Sequence, residues 1–217
     1  MKVIVLDTET TNSLDDPICY DIGWAVVDLE TTEIVKTESY AVAEVFLDKE
    51  LMETAYFAEK IPSYWEEIKH GSRKLARLFT IRKALVDDCK AYEVSEIYAH
   101  NARFDYLSCN LTQRWLTSSK YRYFFPYEVQ ICDTLKMARK AFTEDAYTNF
   151  CKEHGFITKF GQNRYTAEIL YRFMTGDTNF EEIHKGLDDV LIETQILLEC
   201  RKRGVVNGAL WGENFTL

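Results

Sequence analysis

The hydrophobic pattern at the start of the chain predicts a buried strand followed by an antiparallel meander. Val3–Leu6 is a continuous apolar run that opens into the polar stretch Asp7–Thr11. This pattern is typical of a central strand that is buried on both faces. Two further strand candidates, Ile22–Leu29 and Ile34–Ala43, are separated by the polar turn Glu30–Glu33. Their close spacing favours antiparallel pairing.

After an irregular acidic segment at about 44–68, strands and helices alternate along the chain. A helix is expected from Ser72 as its N-cap, because apolar residues up to Cys89 recur at helical spacing. The other expected elements are the strands Glu96–His100 and Glu128–Cys132 and the helices Ala102–Leu116, Thr134–Phe142, 144–154, 166–175 and 187–203. This order predicts an α/β fold with a mixed β-sheet, an antiparallel opening meander and flanking helices.

Length and composition indicate one folded domain. The chain has 217 residues, 47% hydrophobic residues and only three prolines, so we see no linker. We expect a single domain over 1–217, with a core at about 1–203 and a short tail at 204–217. The net charge is 26 − 35 = −9, which argues against binding along long duplex DNA. A short stretch of nucleic acid in a local basic groove, or a carboxylate cluster for metal, stays compatible with it.

The cysteines and the apolar runs indicate a cytoplasmic protein with no membrane partner. Six cysteines occur without any CxxC pair, and the start of the chain shows no signal-peptide pattern. We therefore expect free buried thiols. No apolar run approaches membrane-spanning length.

Two stretches of the chain offer cations for nucleic acid, and each has a simpler interpretation. Between Glu67 and Asp87 the sequence holds six cations and no acid, which predicts either a phosphate-facing wall or a solvated helix face. Leu111 to Tyr127 mixes cations with aromatic residues. Such a mixture suits single-stranded bases, although aromatic residues at this density are more often core.

The first candidate for chemistry is the acid pair Asp7 and Glu9. The two residues are separated by one position on an extended segment, so both side chains point to the same side of the sheet. Adjacent carboxylates at the end of a buried strand repel each other, and a divalent cation would compensate that repulsion. The alternative is a solvated strand end at which both carboxylates face water.

The second candidate is a strand–helix junction that begins at Asn101. Asn101 is placed to cap the following helix, and Asp105 falls in its first turns. A negative side chain there also complements the helix dipole, which is a complete structural explanation by itself. The expected buried face of the helix consists of Phe104, Leu107, Leu111 and Trp115.

The third candidate is the pair His184 and Asp189, which precedes the last predicted helix. Five residues apart on a continuous helix, the two side chains would diverge. They converge only if Gly186 marks a turn, with His184 on the loop and Asp189 in the first helical turn. Spacing alone leaves Asp188 open as the acid that faces the site.

Together the three motifs resemble the DnaQ-like (DEDDh) 3′–5′ exonucleases, which have an RNase H-like fold. Asp7-Thr8-Glu9-Thr10, Asn101-x-x-Phe104-Asp105 and His184-x4-Asp189 match the family's motifs in type, spacing and order. The resemblance extends from Val3 to about Arg203. Stretches such as Asp133-Thr134-Leu135 look like those of compact, phage-type members, whereas the insertion at 44–70 is less typical.

The resemblance implies a two-metal site. Asp7, Glu9, Asp105 and Asp189 would hold two Mg²⁺ ions, for which Mn²⁺ would substitute, and His184 would be the general base. Asp189 rather than Asp188 takes the metal role in the family's motif. The candidate substrate-binding residues are Thr8, Thr10, Asn101 and Tyr56.

The function that we expect from these motifs is 3′–5′ exonucleolytic release of nucleoside monophosphates from single-stranded DNA ends. Nucleic acid is therefore the expected partner. The alternatives are the same chemistry on RNA, as in ribonuclease T-like or oligoribonuclease-like enzymes, and an inactive nucleic-acid-binding polymerase-accessory module. The motifs do not separate DNA from RNA, because sugar discrimination depends on contacts near the 2′ position.

Overall fold

The centre of the fold is a six-stranded mixed sheet. The computed structural model describes residues 1–118, 120 and 122–211. The strands are β1 (Lys2–Thr11), β2 (Ile18–Asp28), β3 (Glu33–Val42), β4 (Lys74–Ala76), β5 (Glu96–Ala99) and β6 (Gln130–Asp133). Their order in the sheet is β4-β3-β2-β1-β5-β6. β1, β2 and β3 pair antiparallel, whereas β4, β5 and β6 are added in parallel. The predicted mixed sheet with an opening meander is confirmed.

Helices cover the sheet. They are α1 (Ala43–Phe46), α2 (Lys49–Met52), α3 (Ile61–His70), α4 (Leu78–Ala91), α5 (Arg103–Leu116), α6 (Thr134–Ala141), α7 (Asp145–Glu153), α8 (Ala167–Thr175) and α9 (Gly186–Lys202). A 3₁₀ turn, Ala58–Lys60, precedes α3. In the described part of the chain, none of the helices combines the length and the apolar character that a membrane span requires. Residues 212–217 of the expected tail lie outside the described residues.

The alternation along β1 divides the core into two layers and thereby orients the candidate site. Ile4 and Leu6 pack in the cluster that includes residues of α4 and α5. Val3 and Val5 pack in the other cluster, with residues of α6, α8 and α9. Because side chains alternate along a strand, odd-numbered positions of β1 face α9 and even-numbered positions face α5.

The segment at 44–70 is more ordered than the sequence pattern predicts. It contains α1, α2, the 3₁₀ turn and α3. The helix expected from Ser72 is wrong at its start, because residues Lys74–Ala76 form β4 and the helix begins at Leu78. β4 pairs with Tyr40–Val42 of β3. The strand is stabilised by residues more than 30 positions away, so the local sequence around Ser72 does not reveal it.

The buried face of α5 also differs from the expected one. Leu107 and Trp115 are 43% and 53% exposed, whereas Ser108 and Thr112 are fully buried. The reason is hydrogen bonding across the layer, since the backbone N–H of Cys19 in β2 donates to Thr112 Oγ1 over 2.8 Å. Short polar side chains let α5 approach the sheet closely.

Four of the six cations in the basic stretch between Glu67 and Asp87 form ion pairs with acids of this chain. Arg73 is buried and pairs with Asp21, Lys74 Nζ lies 2.5 Å from Glu38 Oε2, and Lys83 pairs with Asp87. Arg73 and Lys74 are thus held by acids of other strands, whereas Lys83 pairs within its own helix. In the aromatic stretch Leu111 to Tyr127, Phe124 and Phe125 are core residues, and Tyr121 lies outside the described residues. All six cysteines are free and buried, as the sequence predicts.

Two glycines allow the start of α9 to cross β1 and β2 at backbone contact. A Cβ on Gly23 would lie 2.3 Å from the backbone nitrogen of Leu187. A Cβ on Gly186 would lie 2.9 Å from the Gly23 nitrogen and 3.1 Å from the Asp7 carbonyl oxygen. This approach places the first turn of α9 over the middle of β1, at Asp7.

The Gly23→Ala variant is therefore expected to lose about 1–3 kcal/mol of unfolding free energy, because two backbone segments must separate. Thermal and urea unfolding would measure the loss. Gly208→Ala is the matched control. Its Cβ would meet the flexible Met137 side chain at 2.8 Å, so its cost is expected to be smaller. Equal losses in both variants would contradict the close backbone crossing.

Candidate metal centre and adjoining cavity

His184 and Asp189 converge because the chain turns before α9. His184 lies on the loop with a positive φ of 54°, and Lys185 occupies the N-cap position before helical Gly186. The His184 backbone N–H donates to Asp189 Oδ1 over 3.3 Å. Asp189 occupies the first turn of the helix. The turn at His184 and Lys185, directly before Gly186, thus brings both side chains to one side.

β1 contributes Glu9 and Asp7 to the same place. Single ligand atoms of Glu9, His184 and Asp189 all lie within 4.8 Å of one another. Asp7 and these three residues line one cavity. A bulge in the pairing of β1 with β2 occurs between Glu9 and Thr10. β1 and α9 therefore bring together three carboxylates and one imidazole.

Asp105 reaches the cluster from the other layer. It is buried in the first turn of α5 and accepts a hydrogen bond from Thr8 Oγ1 over 2.9 Å. Its charge raises the pKa of both Asp7 and Glu9. The Thr8 side chain thus connects β1 to α5 by a hydrogen bond. Asp105 is close enough to act on the cluster without lining the cavity itself.

Two acids of the cluster were missed by the sequence motifs. Glu193 lies one helical turn after Asp189, is buried, and accepts the His100 backbone N–H over 3.1 Å. Glu182 precedes His184, and its Oε2 lies 3.9 Å from His184 Nδ1. The spacing of Asp189 and Glu193 is a readable signal, since like charges four residues apart on a helix repel each other. For Glu182 the sequence offers only its proximity to His184.

The carboxyls of the cluster are buried or half-buried, and their pKa values are raised first by burial and then by mutual repulsion. Burial raises the pKa of Glu9 to about 9 and that of Asp189 to about 8, with further increases from neighbouring acids. Burial also raises the pKa of Asp105 to about 7. The pKa of Asp7 is raised by burial and by Glu193, Asp105, Glu9 and Asp189. Lys60 is a nearby cation that opposes this effect on Glu9 and Asp189.

This donor set fits hard divalent cations. Carboxylate oxygens are the ligands of Mg²⁺ and Mn²⁺, and a cation would remove the repulsion that raises these pKa values. Asp7, Glu9, Asp105 and Asp189 would be the metal-holding residues. A ring nitrogen of His184 lies beside the carboxylates of Glu9 and Asp189.

Metal-free protein is expected to lose stability as the pH rises from about 5 to about 9. Unfolded carboxyls titrate near pH 4, whereas the folded pKa values of Asp105, Asp189 and Glu9 are about 7, about 8 and about 9. Between these limits the folded state binds more protons, so each such carboxyl lowers the unfolding free energy by up to about 1.4 kcal/mol per pH unit.

Thermal scans in EDTA at pH 5, 7 and 9 measure this loss. Mg²⁺ is expected to raise the Tm most at pH 9, because it binds the ionised carboxylates. The Glu9→Gln variant should show a flatter pH dependence. A Tm in EDTA that does not fall toward pH 9 would contradict the repulsive cluster.

The 44–70 insertion contacts the catalytic candidate His184. The Phe57 ring stacks on the imidazole with a centroid distance of 4.1 Å and an interplanar angle of 10°. Lys60 Nζ lies 4.4 Å from the Phe57 centroid and donates to the Ile183 carbonyl. Burial lowers the pKa of His184, and Lys60 lowers it further. The insertion thus holds the imidazole in place and favours its neutral form.

A buried ion-pair network fixes the start of α9. Asp21 accepts hydrogen bonds from the Gly186 backbone N–H over 2.9 Å and from Tyr64 Oη over 2.7 Å, and it pairs with Arg73. Glu67 pairs with Arg73 and with Lys185. Because both Asp21 and Arg73 are buried, losing one partner would leave an uncompensated charge. Sequence reasoning did not identify Asp21 as an anchor of the site.

The candidate substrate-binding residues occupy different environments. Asn101 lines the cavity with a positive φ of 68°, but its side chain does not cap α5. Tyr56 is 79% exposed and packs edge-on against Phe57, which lines the cavity in its place. Thr10 is half-buried beside the bulge. The structure therefore brings Asn101 and Phe57 to the cavity, but not Thr10 or Tyr56.

A mixed sheet of this order, with helices on both faces, defines an RNase H-like fold of the exonuclease type, as the sequence predicts. The nuclease domain of 3′hExo, a DEDDh family member solved with rAMP, matches with a TM-score of 0.61 and 14% identity. That match covers 96% of this chain and 95% of that domain. The likeness at this identity establishes the fold.

Other nucleases share the same fold over part of their length. Cell-death related nuclease 4 matches with a TM-score of 0.56 and 12% identity, over 94% of this chain and 64% of its own. Exonuclease I from Methylocaldum szegediense matches with a TM-score of 0.55 and 14% identity, over 93% of this chain and 40% of its own. No protein-family model matches the sequence, and no curated protein matches it.

Proposed function

We propose that this chain is a metal-dependent 3′–5′ exonuclease of the DEDDh type. One observation carries the proposal. Glu9, His184 and Asp189 have ligand atoms within 4.8 Å of one another, in a cavity that Asp7 also lines. Asp105 adds a fourth carboxylate through the Thr8 link. The acids and the histidine that the three sequence motifs have in common with the family thus support one proposed metal site.

The proposed chemistry is hydrolysis of a phosphodiester bond. When bound, two divalent cations supply activation of the attacking water and stabilisation of the leaving 3′ oxygen. Asp7, Glu9, Asp105 and Asp189 would hold them. His184 accepts the proton of the water at a ring nitrogen, which its lowered pKa leaves unprotonated near neutral pH. Phe57 keeps the ring oriented by stacking.

The substrate that we propose is the 3′ end of single-stranded DNA. An end requires few phosphate contacts, which is compatible with a net charge of −9. Escherichia coli Exonuclease I, which was solved with a dA16 oligonucleotide, matches with a TM-score of 0.52 and 13% identity. RNA is the second candidate, because the nuclease domain of 3′hExo was solved with rAMP.

Matched 5′-labelled DNA and RNA oligomers, single- and double-stranded, test the proposal. With Mg²⁺ we expect a ladder that shortens from the 3′ end, and with EDTA no product. The type of oligomer, DNA or RNA, that is degraded faster identifies the substrate. The absence of products with both Mg²⁺ and Mn²⁺, or cleavage at internal positions only, would contradict exonuclease activity.

The two neighbouring aspartates of α9, Asp188 and Asp189, are expected to differ in how much they contribute to kcat. Asp189 belongs to the cluster. Asp188 does not: burial raises the pKa of its carboxyl, and the main charges that act on it are those of Lys185, Glu67 and Arg73. Asp189→Asn is therefore expected to lower kcat by about a hundredfold or more. Asp188→Asn should have a much smaller effect. Turnover measured under saturating substrate gives the ranking, and the reverse order would reassign the metal ligand to Asp188.

A further inference from the structure

A hairpin between α7 and α8 forms a second wall of the cavity. Ile157 and Asn163 form an isolated antiparallel bridge. The Thr158 backbone N–H donates to the Gln162 carbonyl over 2.8 Å, and the Arg164 N–H donates to the Phe156 carbonyl over 3.0 Å. We call residues 156–166 the hairpin wall. Its own backbone hydrogen bonds define its shape.

Three side-chain contacts attach the hairpin wall to the rest of the fold. Tyr147 Oη donates to the Arg164 carbonyl over 2.6 Å, and Asn163 Nδ2 donates to Thr148 Oγ1 over 3.1 Å. His100 Nε2 lies 2.7 Å from the Tyr165 carbonyl oxygen. Because His100 also carries the backbone N–H that binds Glu193, one residue contacts both the carboxylate cluster and the hairpin wall.

The charges around the cavity are segregated. The cavity measures about 1170 Å³, and its acidic lining residues are Asp7, Glu9, Glu182, Asp189 and Glu193, which influence one another's pKa values. The hairpin wall and neighbouring α6 contribute the lining cations Arg164 and Arg139. Lining residues of the hairpin wall carry no carboxylate. The cavity therefore pairs a metal-binding region with a cationic one.

The two guanidinium groups are available to a ligand. Both side chains are exposed. In the described part of the chain, arginine ion pairs involve Arg73, Arg172 and Arg203 instead. Arginine binds phosphate through several N–H donors in a fixed planar arrangement. Thr158 and Gln162 add uncharged polar groups to the same lining.

We propose that Arg139 and Arg164 bind the phosphodiester groups that precede the scissile one in a single strand. This inference rests on the proposed function and deepens it by naming the part of the substrate that the hairpin wall recognises. A strand whose 3′ terminus is at the carboxylates extends along the cavity, and its next phosphates meet the cations. Oligonucleotides that are long enough to supply these phosphates are therefore preferred over a terminal nucleotide alone.

The test compares a short probe with a length series. Thymidine 5′-monophosphate p-nitrophenyl ester contains one phosphodiester and no preceding phosphate. Oligomers of three to eight nucleotides supply them progressively, because the single phosphodiester of a dinucleotide is the scissile one. For the wild-type protein we expect kcat/KM to rise with length and then to level off. Arg139→Gln and Arg164→Gln are each expected to lower the ratio of octamer to probe kcat/KM about tenfold.

The salt dependence of KM is a second measurement. A change in the fold alone is not expected to alter this dependence. Each lost phosphate contact should reduce the slope of log KM against log salt concentration by about 0.7 for a single strand. Lys83→Gln is the control, because Lys83 pairs with Asp87 on α4 and does not line the cavity. It is expected to leave the ratio and the slope at their wild-type values.

The outcomes separate the two proposals. Suppose that the wild-type protein hydrolyses both the probe and the octamer. If the arginine variants then keep the wild-type ratio of octamer to probe kcat/KM and the wild-type salt slope, the inference about the hairpin wall is overturned. The exonuclease proposal stands in that case. If the wild-type protein hydrolyses neither substrate with Mg²⁺ or Mn²⁺, both proposals fail. A lower ratio together with a smaller slope supports the inference.

Discussion

The Asp7→Asn variant is expected to lose nuclease activity by on the order of a thousandfold or more. Metal ions supply several kcal/mol of transition-state stabilisation, and each 1.36 kcal/mol corresponds to about a tenfold change in rate. Asp7 faces the most crowded charge environment of the cluster, since Glu193, Asp105, Glu9 and Asp189 all raise its pKa. Single-turnover hydrolysis of a labelled oligomer at saturating Mg²⁺ measures the loss.

The same variant should fold at least as well as the wild-type protein without metal. Replacing a buried, repelled carboxylate by an isosteric amide removes the charge that burial and its neighbours disfavour. The Tm in EDTA at pH 8 is therefore expected to stay equal or rise. Asp15→Asn, at an exposed position on a surface turn, is the control for both measurements. Full activity of Asp7→Asn would remove Asp7 from the site.

The His184→Ala variant is expected to lower kcat by about 10²–10⁴-fold, the usual contribution of a positioned general base. KM should change little, because the carboxylates that hold the cations remain. Steady-state kinetics with an oligomer separates the two parameters. Added imidazole should restore part of the rate, since a free base can then occupy the space on Phe57. A large rise in KM with unchanged kcat would assign His184 to substrate binding instead.

Much of the central site could be predicted because its spacing has direct geometric meaning. Asp7 and Glu9 share a face since strand side chains alternate. His184 and Asp189 meet because the helix begins only at Gly186, so His184 lies on the preceding loop and Asp189 in the first turn, as the spacing required. These are local relations, and local relations can be read from sequence.

The remaining parts depend on tertiary packing. Arg73 looked like a phosphate-facing cation, yet it pairs with Asp21, which lies 52 positions earlier in the chain. Phe57 stacks on His184 from the position directly before the 3₁₀ turn, 127 residues earlier in the chain. In α5, polar Ser108 and Thr112 are buried because they form hydrogen bonds across the layer, to Thr8 of β1 and to the Cys19 backbone of β2. In each case the decisive partner is distant in sequence.

The insertion is accordingly more than a connection between strands. Its Lys60 lowers the pKa of Glu9, Asp189 and His184, and Phe57 covers one face of the imidazole. Glu67 on α3 pairs with Lys185 at the start of α9. These contacts connect residues 44–70 to His184 and to the start of α9.

Anomalous diffraction from crystals soaked in Mn²⁺ tests the central claim most directly. We expect two anomalous peaks per chain, both among the carboxylates of Asp7, Glu9, Asp105 and Asp189. In Asp7→Asn crystals at least one peak should disappear. Crystals of the wild-type protein that bind Mn²⁺ only elsewhere, or not at all, would contradict the account.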